Sequence, residues 1–171
     1  GADPGLVSRI ANAFIRGAQD NGMIATAKLF PGHGDTSQDS HSLLPTIEAG
    51  LERLEKVELV PFKAAVDAGV RAVMTAHPAV PALDPTPGLP ATLSAPILTG
   101  VLRQKLGFRG LIVTDALEMA GVTNSFSTEE ASLLAVLAGV DQLLLPPDPA
   151  KGIAYLAGAG GDGRLPERRI D

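Results

Sequence analysis

Four short apolar runs, spaced by longer stretches with a helical repeat, constrain the fold of this chain most. The runs are Met23 to Lys28, Val70 to Ala76, Gly110 to Thr114 and Val140 to Leu145. Between them apolar residues recur three and four positions apart, which is one face of a helix. Asp3-Pro4 opens a helix, with Asp as cap and Pro in the first turn, and Asn21-Gly22 closes it. Val7, Ile10, Ala11, Phe14 and Ile15 form its apolar stripe. Glu48 to Val70 reads as largely helical, broken or restarted at Pro61, with Leu51, Leu54, Phe62, Ala65 and Val66 facing inward. Pro78 to Pro96 reads as an irregular, Pro-rich loop, too polar and kinked for a core element. Ser94 is placed to cap a helix from Pro96 to Leu106, and Ser127 to Glu130 spells a capping box. A last short helix covers Ala150 to Ala159, and the Gly-rich stretch Gly158 to Gly163 with the charged tail reads as frayed.

Apolar strands alternating with helices predict an α/β fold with a parallel sheet covered by helices. An open doubly wound sheet and a (β/α)8 barrel both fit. Lys28, His77, Asp115 and the Pro146-Pro147 turn all fall just past C-terminal strand ends, where barrel enzymes place their chemistry. A full barrel takes about 250 residues and about eight strands. With 171 residues and four βα units, the expectation is a TIM-type (β/α)8 barrel of which about the second half is present. Neither Gly-x-Gly-x-x-Gly nor Gly-Lys-Ser/Thr follows a strand, so nucleotide binding has no motif behind it.

Hydrophobic residues make up 45% of the chain, enough for a folded core. The net charge of −5 argues against a nucleic-acid partner, which would need a basic face. Cysteine is absent, which excludes disulfides and thiolate metal sites and is compatible with a cytoplasmic location. No apolar run approaches the roughly 18 residues of a membrane span, and no secretory signal stands at Gly1. The opening Gly1-Ala2-Asp3-Pro4 lacks Met, so a processed product or a piece of a longer protein is expected.

The chemistry concentrates between Lys28 and His41. A strand runs into a loop of Gly, Pro, Ser and Thr that carries His33, Asp35, Asp39 and His41. An Asp two residues from a His can bond one ring nitrogen, fix the tautomer and raise the imidazole pKa. The pair is then suited to give and take a proton near neutral pH. The alternative is a set of loop side chains bonding their own backbone. Asp115 ends the third run and reads either as a helix cap or as a carboxylate nucleophile toward an anomeric carbon. Lys28 reads as a surface lysine or a donor to substrate hydroxyls. His33 reads as structural or pocket-lining. The histidines and aspartates lack helical metal-ligand spacing, so no metal is expected.

The combination of Lys28 through Gly34, Asp39-Ser40-His41, Ala72 through His77 and Leu111 through Met119 resembles family 3 glycoside hydrolases. The likeness is strongest to their bacterial β-N-acetylglucosaminidase (β-N-acetylhexosaminidase) branch and covers nearly the whole chain, 1–171, as a partial catalytic barrel domain. It implies Asp115 as catalytic nucleophile and His41 as acid/base with Asp39 as its partner. It implies Lys28 as a sugar contact, and with it we group His33, His77 and Met119 as substrate-binding residues. Expected substrates are oligosaccharides or cell-wall fragments ending in β-linked N-acetylglucosamine, with no metal or organic cofactor. The sequence departs from the family at Leu29, where a His usually follows the strand-end Lys. A half barrel exposes two sheet edges, which predicts closure by a second copy or a complementary barrel half. Two other readings keep these residues: a non-catalytic half-barrel that binds sugar weakly, and a phosphorylase that uses phosphate as acceptor.

Overall fold

The computed structural model describes residues 2–34 and 44–170. Helix α1 (Pro4–Asp20) begins where the sequence places it. Asp3 Oδ1 accepts from the backbone N–H groups of Gly5 and Leu6 at 2.8 and 3.0 Å, meeting two donors the first turn leaves unpaired. Gly22, at φ +83°, follows the end of α1 and turns the chain toward β1 (Thr26–Phe30). Helices α2 (Leu51–Lys56) and α3 (Leu59–Asp67) follow, with the break at Val57 and Glu58 and Pro61 in the first turn of α3. A proline there interrupts no helical hydrogen bond, so Pro61 restarts the helix.

Strands β1, β2 (Ala72–Thr75) and β3 (Leu111–Val113) form a parallel sheet in that order. Lys28, Met74 and Val113 lie in one row of the register. A register shift between Lys28 and Phe30 follows, where the Lys28–Leu29 and Phe30–Pro31 peptide bonds are both cis. Helix α4 (Pro96–Lys105) is of the wide π type, and α5 (Ala120–Thr123), α6 (Thr128–Ala138) and α7 (Pro149–Gly161) complete the helical layer. Ser127 and Glu130 form the expected reciprocal capping box on α6.

The core lies between the sheet and its helices. Phe30, Leu54, Ile97, Leu98, Leu102 and Ile112 are fully buried, and the Phe30 and Phe62 rings meet edge to face at 5.1 Å. Each such side chain contributes about 1.5–3 kcal/mol of burial. The α/β class and the half-barrel reading hold.

Several local expectations do not. The first strand runs on to Phe30, so Lys28 sits inside it and not past its end. The fourth run is reduced to one bridge between Val113 and Gln142, because Leu144 gives its N–H to the Thr114 hydroxyl and its carbonyl to the Leu117 N–H. Leu51 is exposed. Residues 158–161 are helical, and the tail is anchored by Arg169, which donates to the carbonyls of Val136 and Val140. The Pro-rich loop is irregular but not superficial: Ala79, Val80, Ala91, Thr92 and Leu93 are all buried. Ile10 and Phe14 on α1 are 63% and 72% exposed, so most of the apolar stripe lines an open groove.

Candidate active site

Register builds the site. Met74 pairs with Val113, so β2 and β3 end in register and the chain beyond them carries His77 and Asp115 off the same edge of the sheet. Thr114, fully buried just before Asp115, accepts from the Leu144 N–H through its hydroxyl at 2.8 Å. The Thr114 N–H donates to the Gln142 carbonyl at 3.0 Å, and the Leu117 N–H to the Leu144 carbonyl at 2.9 Å. The turn that carries Asp115 is thus stitched to residues 142–144 on one side.

Asp115 is half-buried, and its Oδ1 accepts from the Ala116 N–H at 2.9 Å. Among the described residues its Oδ2 bonds no donor. The capping alternative does not hold, because the next helix, α5, starts after Met119 and takes no bond from Asp115. One carboxylate oxygen is fixed and the other is open, an arrangement that suits attack on an electrophilic carbon. Met119 is half-buried at the entrance to α5, where its carbonyl accepts from the Val122 and Thr123 N–H groups.

His77 lies behind Asp115. The residue is 1% exposed. Nε2 donates to the Ala116 carbonyl at 2.9 Å, and Nδ1 lies 2.9 Å from the Thr92 hydroxyl. Both nitrogens are engaged with the protein, so the ring as placed offers neither to a sugar hydroxyl. Burial holds its pKa below the ordinary imidazole value, while the Ala116 carbonyl and the Asp115 charge oppose that shift and His33 adds to it. Ala116 links the two residues: its carbonyl bonds His77 and its N–H bonds Asp115.

Lys28, exposed on β1, and Leu29 and His33 beyond it line the groove between α1, β1 and α3, about 1420 Å³ in volume. Gly32, at φ +131°, sits against Glu58, whose Cβ would be 3.1 Å from any side chain added there. A glycine at this turn lets the loop pass over α3 with His33 toward the groove. Asp39 and His41 lie outside the described residues. Among the described residues, no three His, Asp or Glu side chains group as metal ligands, and no helix is long and apolar enough to cross a membrane. Thr75 and Thr92 were not singled out from sequence, yet Thr92 bonds His77 directly and Thr75 bonds Thr92. The available signal was a threonine inside the otherwise apolar run Val73 to Ala76.

Comparison with known proteins fits this geometry. Residues 1–171 match the family described as Glycosyl hydrolase family 3 N terminal domain. The chain belongs to glycoside hydrolase family 3. It is 40% identical over 155 residues to a beta-hexosaminidase of Chromobacterium violaceum, covering 91% of this chain and 43% of that protein. The family 3 beta-N-acetylglucosaminidase from Paenibacillus sp. str. FPU-7 superposes with a TM-score of 0.94 at 45% identity, over 98% of this chain and 32% of that one. A beta-glucoside phosphorylase, BglX, superposes with a TM-score of 0.92 at 28% identity, again over 98% of this chain and 32% of that one. The chain therefore spans less than half the length of these family 3 relatives.

Proposed function

We propose that this chain carries the nucleophile half of a retaining glycoside hydrolase that removes terminal β-linked N-acetylglucosamine. The observation that carries the reading is Asp115, held by one oxygen at the C-terminal end of β3 beside His77, in a chain of family 3. In the first step Asp115 attacks the anomeric carbon as His41 protonates the leaving oxygen, giving a glycosyl-enzyme. His41, steadied by Asp39, then removes a proton from water, which displaces Asp115 and releases the sugar with retained configuration. Lys28 binds sugar hydroxyls from β1, His33 and Met119 bound the subsite, and no metal or organic cofactor takes part. The names borne by the relatives support the N-acetyl sugar.

The test is hydrolysis of 4-nitrophenyl N-acetyl-β-D-glucosaminide by the full-length protein and its Asp115→Asn variant. Loss of at least about a thousandfold in kcat is expected, and an Asn variant as active as wild type would end the assignment. His41→Ala should spare glycosylation by substrates with good leaving groups, which need little protonation. Equal loss across leaving groups would count against the acid role. The structural likeness to a phosphorylase makes the acceptor the second question. Product analysis in phosphate buffer decides it, since sugar 1-phosphate would replace free sugar if phosphate were the acceptor.

A further inference from the structure

We infer that His77 is a positioning residue for Asp115, held by Thr92 as the Nε2–H tautomer so that it fixes the backbone on which the nucleophile rests. The inference builds on the reading of Asp115 as nucleophile.

Proton accounting sets the tautomer. The Ala116 carbonyl can only accept, so the hydrogen in the 2.9 Å contact belongs to Nε2. A neutral ring then presents a lone pair at Nδ1, and the Thr92 hydroxyl, 2.9 Å away, must donate to it. The Thr92 oxygen accepts in turn from the Thr75 hydroxyl at 2.7 Å. The Thr92 hydroxyl also lies 2.8 Å from the Ala76 carbonyl, but that carbonyl already receives the Thr92 N–H at 3.1 Å and does not need it. The chain Thr75, Thr92, His77, Ala116 closes with each hydrogen used once. All three side chains are buried, so water does not compete.

The two polar backbone groups of Ala116 reach opposite partners. Its N–H holds Asp115 Oδ1 at 2.9 Å, and its carbonyl is held by His77. Releasing the carbonyl frees the turn that aims the carboxylate. The same carbonyl also accepts from the Met119 N–H at 3.2 Å. Loss of the imidazole donor therefore leaves no orphaned acceptor, and the fold tolerates it better than the reaction does.

The experiment uses the full-length protein and two pairs of variants. His77→Phe keeps a ring without donors, and His77→Gln restores an N–H near the Nε2 position. Thr92→Val keeps shape without the hydroxyl, and Thr92→Ser restores it. Displacing a reacting group by about 1 Å costs on the order of a hundredfold. His77→Phe and Thr92→Val should therefore lower kcat on the nitrophenyl substrate by about ten- to a hundredfold, with KM within about twofold. Gln and Ser should recover most of it. Retained kcat in both Phe and Val variants, or a loss carried by KM alone, overturns the proposal. So does a Gln variant no better than Phe. Should His77→Phe fail to fold, the Thr92 pair decides alone. Asp115→Asn is the separate control: its full activity would remove the nucleophile reading itself, whereas an inactive Asn variant beside fully active His77→Phe and Thr92→Val variants defeats only this inference.

Discussion

Asp141 gives the sharpest test of how this sheet is held at the end away from the candidate site. Its Oδ2 accepts from the Ile112 N–H at 2.8 Å and from Arg103 Nη2 at 2.7 Å, and its Oδ1 faces Arg169 Nη2 at 3.3 Å. Arg103 also donates to the Gly110 carbonyl at 2.6 Å, and Arg169 to the Val136 carbonyl at 2.8 Å. The carboxylate thus ties β3, α4, α6 and the tail together. A hydrogen bond to a charged group in this partly buried setting contributes about 1.5–3 kcal/mol. The two ion pairs, each partly open to solvent, add about 0.2–1 kcal/mol apiece. Asp141→Ala should then cost about 3 kcal/mol in urea unfolding of the full-length protein. Asp141→Asn should cost about half, since its amide oxygen keeps the Ile112 N–H but not the charge. Turnover per folded molecule should stay within about twofold of wild type, because in barrel folds this end of the strands serves stability. An Ala variant within about 0.5 kcal/mol of wild type would refute the reasoning.

Two glycines separate close approach from open space. A Cβ at Gly110 would lie 2.2 Å from the Arg71 carbonyl oxygen, so Gly110→Ala should prevent stable folding, seen as insoluble expression or a collapsed melting temperature. A Cβ at Gly100, inside α4, meets nothing within 4 Å, and Gly100→Ala should raise stability by about 0.5–1 kcal/mol in the same melt. Stability should also depend on pH through His77, which faces Asp115 and His33. Burial lowers its folded pKa below the ordinary 6.5, so the unfolded chain takes up a proton that the folded chain refuses. That contribution is intact above 6.5 and erodes as pH falls below it. Urea midpoints from about pH 7.5 to 5 should drop less steeply for His77→Gln than for wild type, and equal slopes would argue against a neutral buried ring.

Elements with purely local signals were legible in the sequence. Asp3-Pro4, Ser127 to Glu130 and Pro61 state their own geometry, because a cap or a ring constraint acts over three or four residues. The placement of Asp115 at the end of β3 followed from an apolar run ending in a polar turn. What escaped depends on distant partners. Val140 to Leu145 has the composition of a strand, yet Leu144 spends its N–H on the Thr114 hydroxyl and not on a ladder. The Pro-rich loop looked superficial because proline and polar residues usually are. Here Ser94 donates to Asp84 at 2.5 Å and Thr92 bonds Thr75, so the polar atoms are satisfied inside. His77 groups with the substrate-binding residues by its strand-end position and the family resemblance, and only the pairing of residues 15 and 39 positions away commits both its nitrogens.

That commitment bears on the rest of the mechanism. An acid/base residue must exchange its proton with substrate and water in each turnover, which requires a nitrogen that reaches them. His77 is dry and bonded at both nitrogens, so it holds a geometry and shuttles nothing. The chain contains three histidines. The other two, His33 and His41, follow Gly32 in the sequence. Of these, His41 has a carboxylate two residues away in Asp39 that can set its tautomer, and the family resemblance implies the acid/base role for that pair. Under the proposed function the roles divide: Asp115 attacks, His77, bonded at both nitrogens, keeps it aimed, and His41 handles the proton.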